Sequence, residues 1–383
     1  MSDRYKLYVS DVSYFSGKFE AYLRYKGIPH ERIQVNIETT RNVLLPATGF
    51  MKIPAMQCPD GSWLKDTTPM IQWLDRKHPV YPVYPEDPAA RFLALLVEDY
   101  ADEWMWRPAM YYRWRFADSA RLLRARIGRE FSRGTRHLAP IVSAYFHCRQ
   151  YLVFVYGDGV RRHNEAAVQD VYLRTLRQLS DVLASRRFLL GARPSIVDFA
   201  FFGSMFRHFA LDPVSAEIMI DTAPAVYAWT ARLWNARGER DGDGELDDFS
   251  SAEWDSVFAS IAEEYLPYLD RNAEAYTRGE RHFDLRLGAA RYPRMRVVRY
   301  RVACREQLLK QYAALDESTK DIVRQRLSCS DIAHWLDTSG IVDSGLSKEF
   351  EMPLAHRYPA PRGLYWLKTN LGTPWDMPKP PIT

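Results

Sequence analysis

The chain has 383 residues with 52 basic and 48 acidic side chains, and the net charge of +4 is too small to imply a nucleic-acid partner. Hydrophobic residues make up 47% and charged residues 26%, which excludes a disordered chain and allows roughly two or three packed domains. No apolar run approaches the roughly 18 residues of a membrane helix, and the first ten residues lack an apolar signal core, so a cytoplasmic protein with no membrane partner is expected.

Four cysteines (Cys58, Cys148, Cys304 and Cys329) form no CxxC pair and read as reduced thiols. Neither they nor the nine histidines show metal-ligand spacing, so no metal is expected.

Lys6 to Val9 reads as a short buried strand, and Asp11 to Ser16 as a polar turn. Helical spacing begins at Gly17, with Phe19, Tyr22 and Leu23 near one face, and stops at Gly27-Ile28-Pro29. This order sets Ser13 and Ser16 beside the unpaired N–H groups of a helix start. The macrodipole there favours an anion or thiolate, and a plain helix cap is the equal alternative. Arg32 to Asn36 alternates as a second strand, and Glu38 to Thr48 is irregular. Lys52 to Cys58, the Asp60-Gly61 turn and Trp63-Leu64 make a hairpin. Pro54 cannot donate to a ladder and belongs at an edge or bend. Thr67 or Thr68 can cap a helix over Pro69 to Lys77. Pro79 to Pro88 holds four prolines in ten residues and reads as a linker.

From Ala89 onward the pattern is helical. One helix is expected over Ala89 to Phe116, and others over His137 to Tyr156, His163 to Ala184 and Ala223 to Ala236. The basic stretch Arg107 to Arg136 is interrupted by Asp118 and Glu130 and reads as a solvated face whose arginines cover aromatics. Ser195 and Asp198 form a capping box before an almost wholly apolar helix, which must be central. Gly238 to Asp248 reads as an exposed acidic loop without EF-hand spacing. Ser250 to Asp337 reads as mostly helical, including the basic run Arg291 to Arg305. Gly345 to Thr383 reads as an extended tail expected to cover the cleft between domains.

Three segments together resemble the glutathione transferase superfamily. LYVSDVSYFSGKFEAYLRYKGIPHE is similar to its strand, serine turn and first helix. KIPAMQCPDGSWLKDTTPMIQWL is similar to its Val-Pro strand, hairpin and Glu-Ser helix start, and FLLGARPSIVDFAFFG to its capping-box helix. The resemblance covers about Tyr5 to Arg237. It implies an α/β thioredoxin-like domain (1–78), a linker (79–88), an all-α domain (89–237), and a mostly helical or irregular extension (238–383) without a family counterpart.

The resemblance also implies glutathione as co-substrate, no metal, a hydrophobic electrophile as partner, a role in detoxification, and a homodimer. Ser13 matches the thiol-activating residue, which leaves Ser16 as the structural cap. Ile53 matches the residue that pairs with the cysteinyl backbone, Pro54 the cis-proline, and Asp66 and Thr67 the pair that holds the γ-glutamyl group. Lys52 matches a contact to the glycyl carboxylate. Tyr14, Trp104, Trp106, Tyr111 and Tyr112 are expected to line the electrophile pocket. Two departures stand out: Tyr14 replaces a common proline, and Asp-Thr replaces Glu-Ser. A non-catalytic scaffold using the extension as its partner surface is the competing reading, and the trio of Ser13, Pro54 and Asp66-Thr67 favours the transferase.

Overall fold

The computed structural model describes residues 4–49, 51–133, 135–328 and 331–354. It opens with β1 (Tyr5–Val9), α1 (Tyr14–Tyr25) and β2 (His30–Gln34). Short helices α2 (Ile37–Thr39) and α3 (Leu45–Thr48) follow, joined by a wide turn over Thr40–Leu44, so the irregular stretch is a broken helix. Asn36 supplies the reason, since its side chain caps α2 in a reciprocal pair with Thr39. The hairpin β3 (Ala55–Gln57) and β4 (Trp63–Lys65) leads to α4 (Thr67–Lys77).

The four strands form one mixed sheet in the order β2-β1-β3-β4. β1 runs parallel to β2, which requires the crossover that α1 supplies, and antiparallel to β3. Leu7, Met56 and Leu64 lie abreast across three strands, and all are fully buried. This is the thioredoxin-like arrangement expected from the sequence. Two local expectations change. α1 starts at Tyr14 rather than Gly17, and neither Thr67 nor Thr68 caps α4. Gly17 instead allows a close approach, because a Cβ there would sit 2.9 Å from Arg207 Cγ.

The helical part begins with α5 (Pro88–Glu103) and α6 (Trp106–Arg115). They replace the single helix expected over this stretch. Pro108 has no N–H to give the carbonyl of Trp104, so the ladder breaks there. α7 (Ala117–Phe131) and α8 (Ala139–Gln150) form an antiparallel pair, and α9 (Glu165–Leu183) follows. α10 (Ile196–Ser204) is buried along its whole length, as its composition requires. Asp198 accepts from Ser195 N–H at 2.9 Å, Leu189 N–H at 2.8 Å and Trp229 Nε1 at 3.0 Å. α11 (Pro213–Thr222), α12 (Pro224–Trp234) and the short α13 (Gly238–Asp241) come next.

The stretch after Arg237 is exposed over Asp243, Gly244 and Glu245 as expected, but its first residues form a packed turn. Gly238 and Asp241 are buried, and a Cβ on Gly238 would lie 2.1 Å from the Tyr81 ring. α14 (Asp255–Ser260), α15 (Leu266–Thr277) and the turns just before each of them put Trp254, Tyr265 and Tyr268 fully inside. β5 (His282–Leu287) and β6 (Ala290–Arg296) form a hairpin where a helix was expected. Alternation decides it: Phe283 and Leu285 are buried between exposed His282, Asp284 and Arg286. α16 (Arg299–Ala313) and α17 (Glu317–Leu327) then lie against α5. The tail up to residue 354 crosses back to the sheet, where Leu354 N–H donates to Trp63 O at 2.8 Å. Cys329 and the tail beyond residue 354 lie outside the described residues. Among the described residues, no helix is long and apolar enough to cross a membrane.

The two domains are joined by a buried charge cluster. Lys18 Nζ on α1 donates to Glu98 Oε1 at 2.7 Å and Asp102 Oδ2 at 2.5 Å, both on α5. Lys18 is wholly buried, yet the two carboxylates raise its proton affinity. Lys18→Met strands two buried acids, so we expect a loss of about 3–5 kcal/mol in urea unfolding.

Candidate active site

Ser13 occupies the turn between β1 and α1, in an extended conformation that ends the strand and starts the helix. Its Oγ accepts from Ser16 N–H at 3.3 Å, so Ser13 is itself the cap. Ser16 is therefore not the cap: it is fully buried, and its Oγ accepts from Ser10 N–H at 3.3 Å. A hydroxyl oxygen that accepts can still donate its proton, so capping leaves Ser13 a donor.

Two buried arginines from the helical domain grip this turn. Arg113 donates to Val12 O at 2.7 Å and forks onto Asp212 at 2.8 and 3.1 Å. Arg207 donates to Ser10 O at 2.8 Å and pairs with Glu20 at 2.7 Å. The solvated reading of the basic stretch fails at Arg113, which is 2% exposed. It holds for Arg107 only in part: that guanidinium lies 4.2 Å over Trp104, but it is buried.

The residues expected to hold glutathione surround the same space. The Ile53–Pro54 peptide is cis. Asp66 sits just ahead of α4 at φ +68, a region costly for a side-chain-bearing residue, and its carboxylate makes no cap bond. Tyr300 OH donates to Asp66 Oδ2 at 2.6 Å. Ser13, Lys52 and Ile53 line a cavity of about 430 Å³. A smaller one of about 90 Å³ adjoins it, reached by Pro54, Asp66 and Thr67. Phe15, Lys52, Ile53 and Glu103 belong to both.

The larger cavity is apolar and aromatic. Phe15 stacks on Trp106 at 5.8 Å, and Phe154 meets Trp106 edge-on at 5.1 Å. Phe131 from α7 and Phe146 from α8 close the far side. Of the five aromatics expected here, Tyr14 and Trp106 line the cavity and three do not. Trp106, Met110 and Arg113 share the cleft face of α6 by their three- and four-residue spacing. Tyr111 and Tyr112 therefore turn away: Tyr111 reaches Glu165 and Gln169, and Tyr112 packs on Phe116 and Tyr172. Trp104 precedes the helix break and faces the extension, donating to Glu264 at 3.1 Å beside Tyr268.

The site's electrostatics are set by burial. Lys52 is pushed down to about 7 by burial, which Asp66 and Glu103 oppose. Burial raises the Glu103 carboxyl, and Arg301 at 2.9 Å opposes that shift. His208 is held well below its usual value by burial and Arg113, so it is neutral. Tyr14 is pushed far up by burial, and its hydroxyl donates to Ala101 O, so it is a poor source of protons. Among the described residues, no cluster of three His, Cys, Asp or Glu side chains could hold a metal. Sequence reading missed Phe15, Arg113, Arg207, Tyr300 and Glu349, since the side chains they meet come from remote segments.

Residues 7–86 match the glutathione S-transferase N-terminal domain family and residues 162–232 its C-terminal domain family. The chain thus carries both an N-terminal and a C-terminal glutathione S-transferase domain. It is similar to a solved glutathione transferase family member from Pseudomonas fluorescens with two glutathione bound, at 18% identity and TM-score 0.38, covering 60% of this chain and 88% of that one. It is also similar to the β-etherase LigF from Sphingobium sp. strain SYK-6, at 16% identity and TM-score 0.43, covering 60% and 94%. A third is a Methylobacterium radiotolerans glutathione S-transferase in complex with glutathione sulfonate, at 20% identity and TM-score 0.36, covering 61% and 91%. No match among curated proteins was found.

In this transferase-family site Lys52 changes charge near neutral pH. It is protonated below about 7 and neutral above. S-Methylglutathione has carboxylates but no thiol to titrate. Its affinity, read by calorimetry, is expected to fall about tenfold from pH 6 to pH 9 as the ammonium is lost. In Lys52→Met the step near pH 7 should be gone, leaving only the titration of the ligand's own α-ammonium at higher pH.

Proposed function

We propose that this chain is a glutathione-dependent transferase in which Ser13 holds the glutathione thiolate for attack on a hydrophobic, aromatic electrophile. The observation that carries this reading is that the two cavities adjoin and share Lys52 and Ile53 in their walls. Ser13 lies on the large cavity, and Asp66 and Thr67 lie on the small one.

The energetics are adequate. A free thiol near 8.5 is only about 3% ionised at pH 7. Lowering it by about two units gives roughly three-quarters thiolate and needs about 2.7 kcal/mol. One hydroxyl donor to an anion supplies about 1.5–3 kcal/mol, and a helix N-terminus about 0.3–1 kcal/mol. Ser13 and the start of α1 together suffice. The Tyr14 hydroxyl is buried and already donates to Ala101 O, which favours Ser13 over Tyr14 as the hydroxyl donor at the turn.

The thiolate sulfur then forms a bond to carbon, and the leaving group departs with the bonding pair. Conjugation, dehalogenation and ether cleavage share that step, and peroxide reduction uses the same thiolate. A serine instead of a cysteine here disfavours thiol–disulfide exchange through the enzyme, because that route needs an enzyme sulfur. The ring-lined cavity supports a flat apolar electrophile, which would be held by stacking rather than by hydrogen bonds.

Calorimetric titration of the full chain with glutathione tests the reading. Binding should appear at millimolar or lower ligand and weaken at least tenfold in Asp66→Ala, whereas no heat from the wild type would sink it. Ser13→Ala should raise the bound thiol's pKa by about one to two units, followed as thiolate absorbance against pH. An unmoved titration would take Ser13 out of the mechanism.

A further inference from the structure

The smaller cavity has two walls of different origin. Ile53, Pro54, Asp66 and Thr67 form one, and Tyr300, Glu349 and Phe350 from the extension form the other. The walls are joined by buried polar contacts. Tyr300 OH donates to Asp66 Oδ2 at 2.6 Å, and Lys65 is ion-paired to Glu349 with both side chains 8% exposed.

The outer wall is braced from behind. Glu306 on α16 accepts from Ser344 N–H at 2.9 Å and from Ser344 Oγ at 2.6 Å, and Arg299 donates to Ser344 O at 2.6 Å. The Phe350 ring sits 5.9 Å from the Tyr300 ring. A wall pinned at these points is a fixed part of the cavity. The space it encloses, about 90 Å³, holds several waters or one small polar group. Lysines and carboxylates both face that space, which suits a zwitterion rather than a simple anion.

We infer that the extension completes the subsite for the γ-glutamyl head of the thiol co-substrate: Glu349 and Asp66 together receive its α-ammonium, and Tyr300 is the positioning residue that holds Asp66. This rests on the glutathione-dependent reading above and adds two residues that lie outside both matched domains. A head group of the right length and charge is thereby selected by the chain's own C-terminal segment.

The test is calorimetry on the full chain with two peptides, glutathione and cysteinylglycine, which lacks the γ-glutamyl head. Wild type should prefer glutathione. Tyr300→Phe should raise the glutathione Kd about fivefold and Glu349→Gln about tenfold, and neither should change the cysteinylglycine Kd. Variants with native near-ultraviolet dichroism that bind glutathione as tightly as wild type, or more tightly, overturn the inference and make the segment a mere cover. Equal weakening of both peptides also overturns it, since that marks a general structural role. If the wild type binds neither peptide, the functional reading falls and takes this inference with it. Should Glu349→Gln unfold, Tyr300→Phe decides alone by the same two readings, because its ring still packs on Phe350.

Discussion

One ammonium group buried between two carboxylates sets the geometry on which the site depends. Lys18 belongs to α1, five residues after Ser13, and its partners Glu98 and Asp102 belong to α5. Glu98 also accepts from Thr68 Oγ1 at 3.0 Å, at the start of α4 and two residues from Asp66. Asp102 lines the smaller cavity. One cluster therefore registers the Ser13 turn, the Asp66 corner and the helical domain against one another. Buried ion clusters are a poor source of net stability, because removing charge from water costs about as much as the attraction returns. They penalise any arrangement that separates the partners, and here such an arrangement would move Ser13 relative to Asp66.

The same turn is held from its other side by Arg113 and Arg207, whose guanidinium groups satisfy the carbonyls of Val12 and Ser10. Ser13 is thus fixed through main-chain atoms, without any side-chain bond beyond its own cap. The hydroxyl proposed to hold the thiolate gains from this, because a donor already in place loses little freedom when an anion arrives.

What could be read from the sequence was what lies within a few residues along the chain. The serine turn, the Asp-Gly hairpin and the Ser195–Asp198 box depend on local turn and cap chemistry, and their places in the fold follow. The cap was assigned to Ser16 and belongs to Ser13, because either serine can cap and only the backbone angles at the helix start decide. Tyr111, Tyr112 and Trp104 were misassigned because the break near Pro108 resets the helix phase, and spacing counted across it points the wrong way. In β5 and β6, abundant arginine hid a two-residue alternation. Tyr300 and Glu349 carry no local signal at all, since their meaning comes only from Asp66 and Lys65.

Those last two contacts have a kinetic consequence. Asp66 and Tyr300 are 234 residues apart along the chain, and Lys65 and Glu349 are 284 apart. Local helices form early and contacts of this span form late, because loop closure must come before them. During synthesis from the N-terminus, the sheet and the Ser13 turn can be in place while the wall made by residues 300–350 is still unmade. Completion of the small cavity is then among the last events of folding, and it cannot precede the synthesis of residue 350.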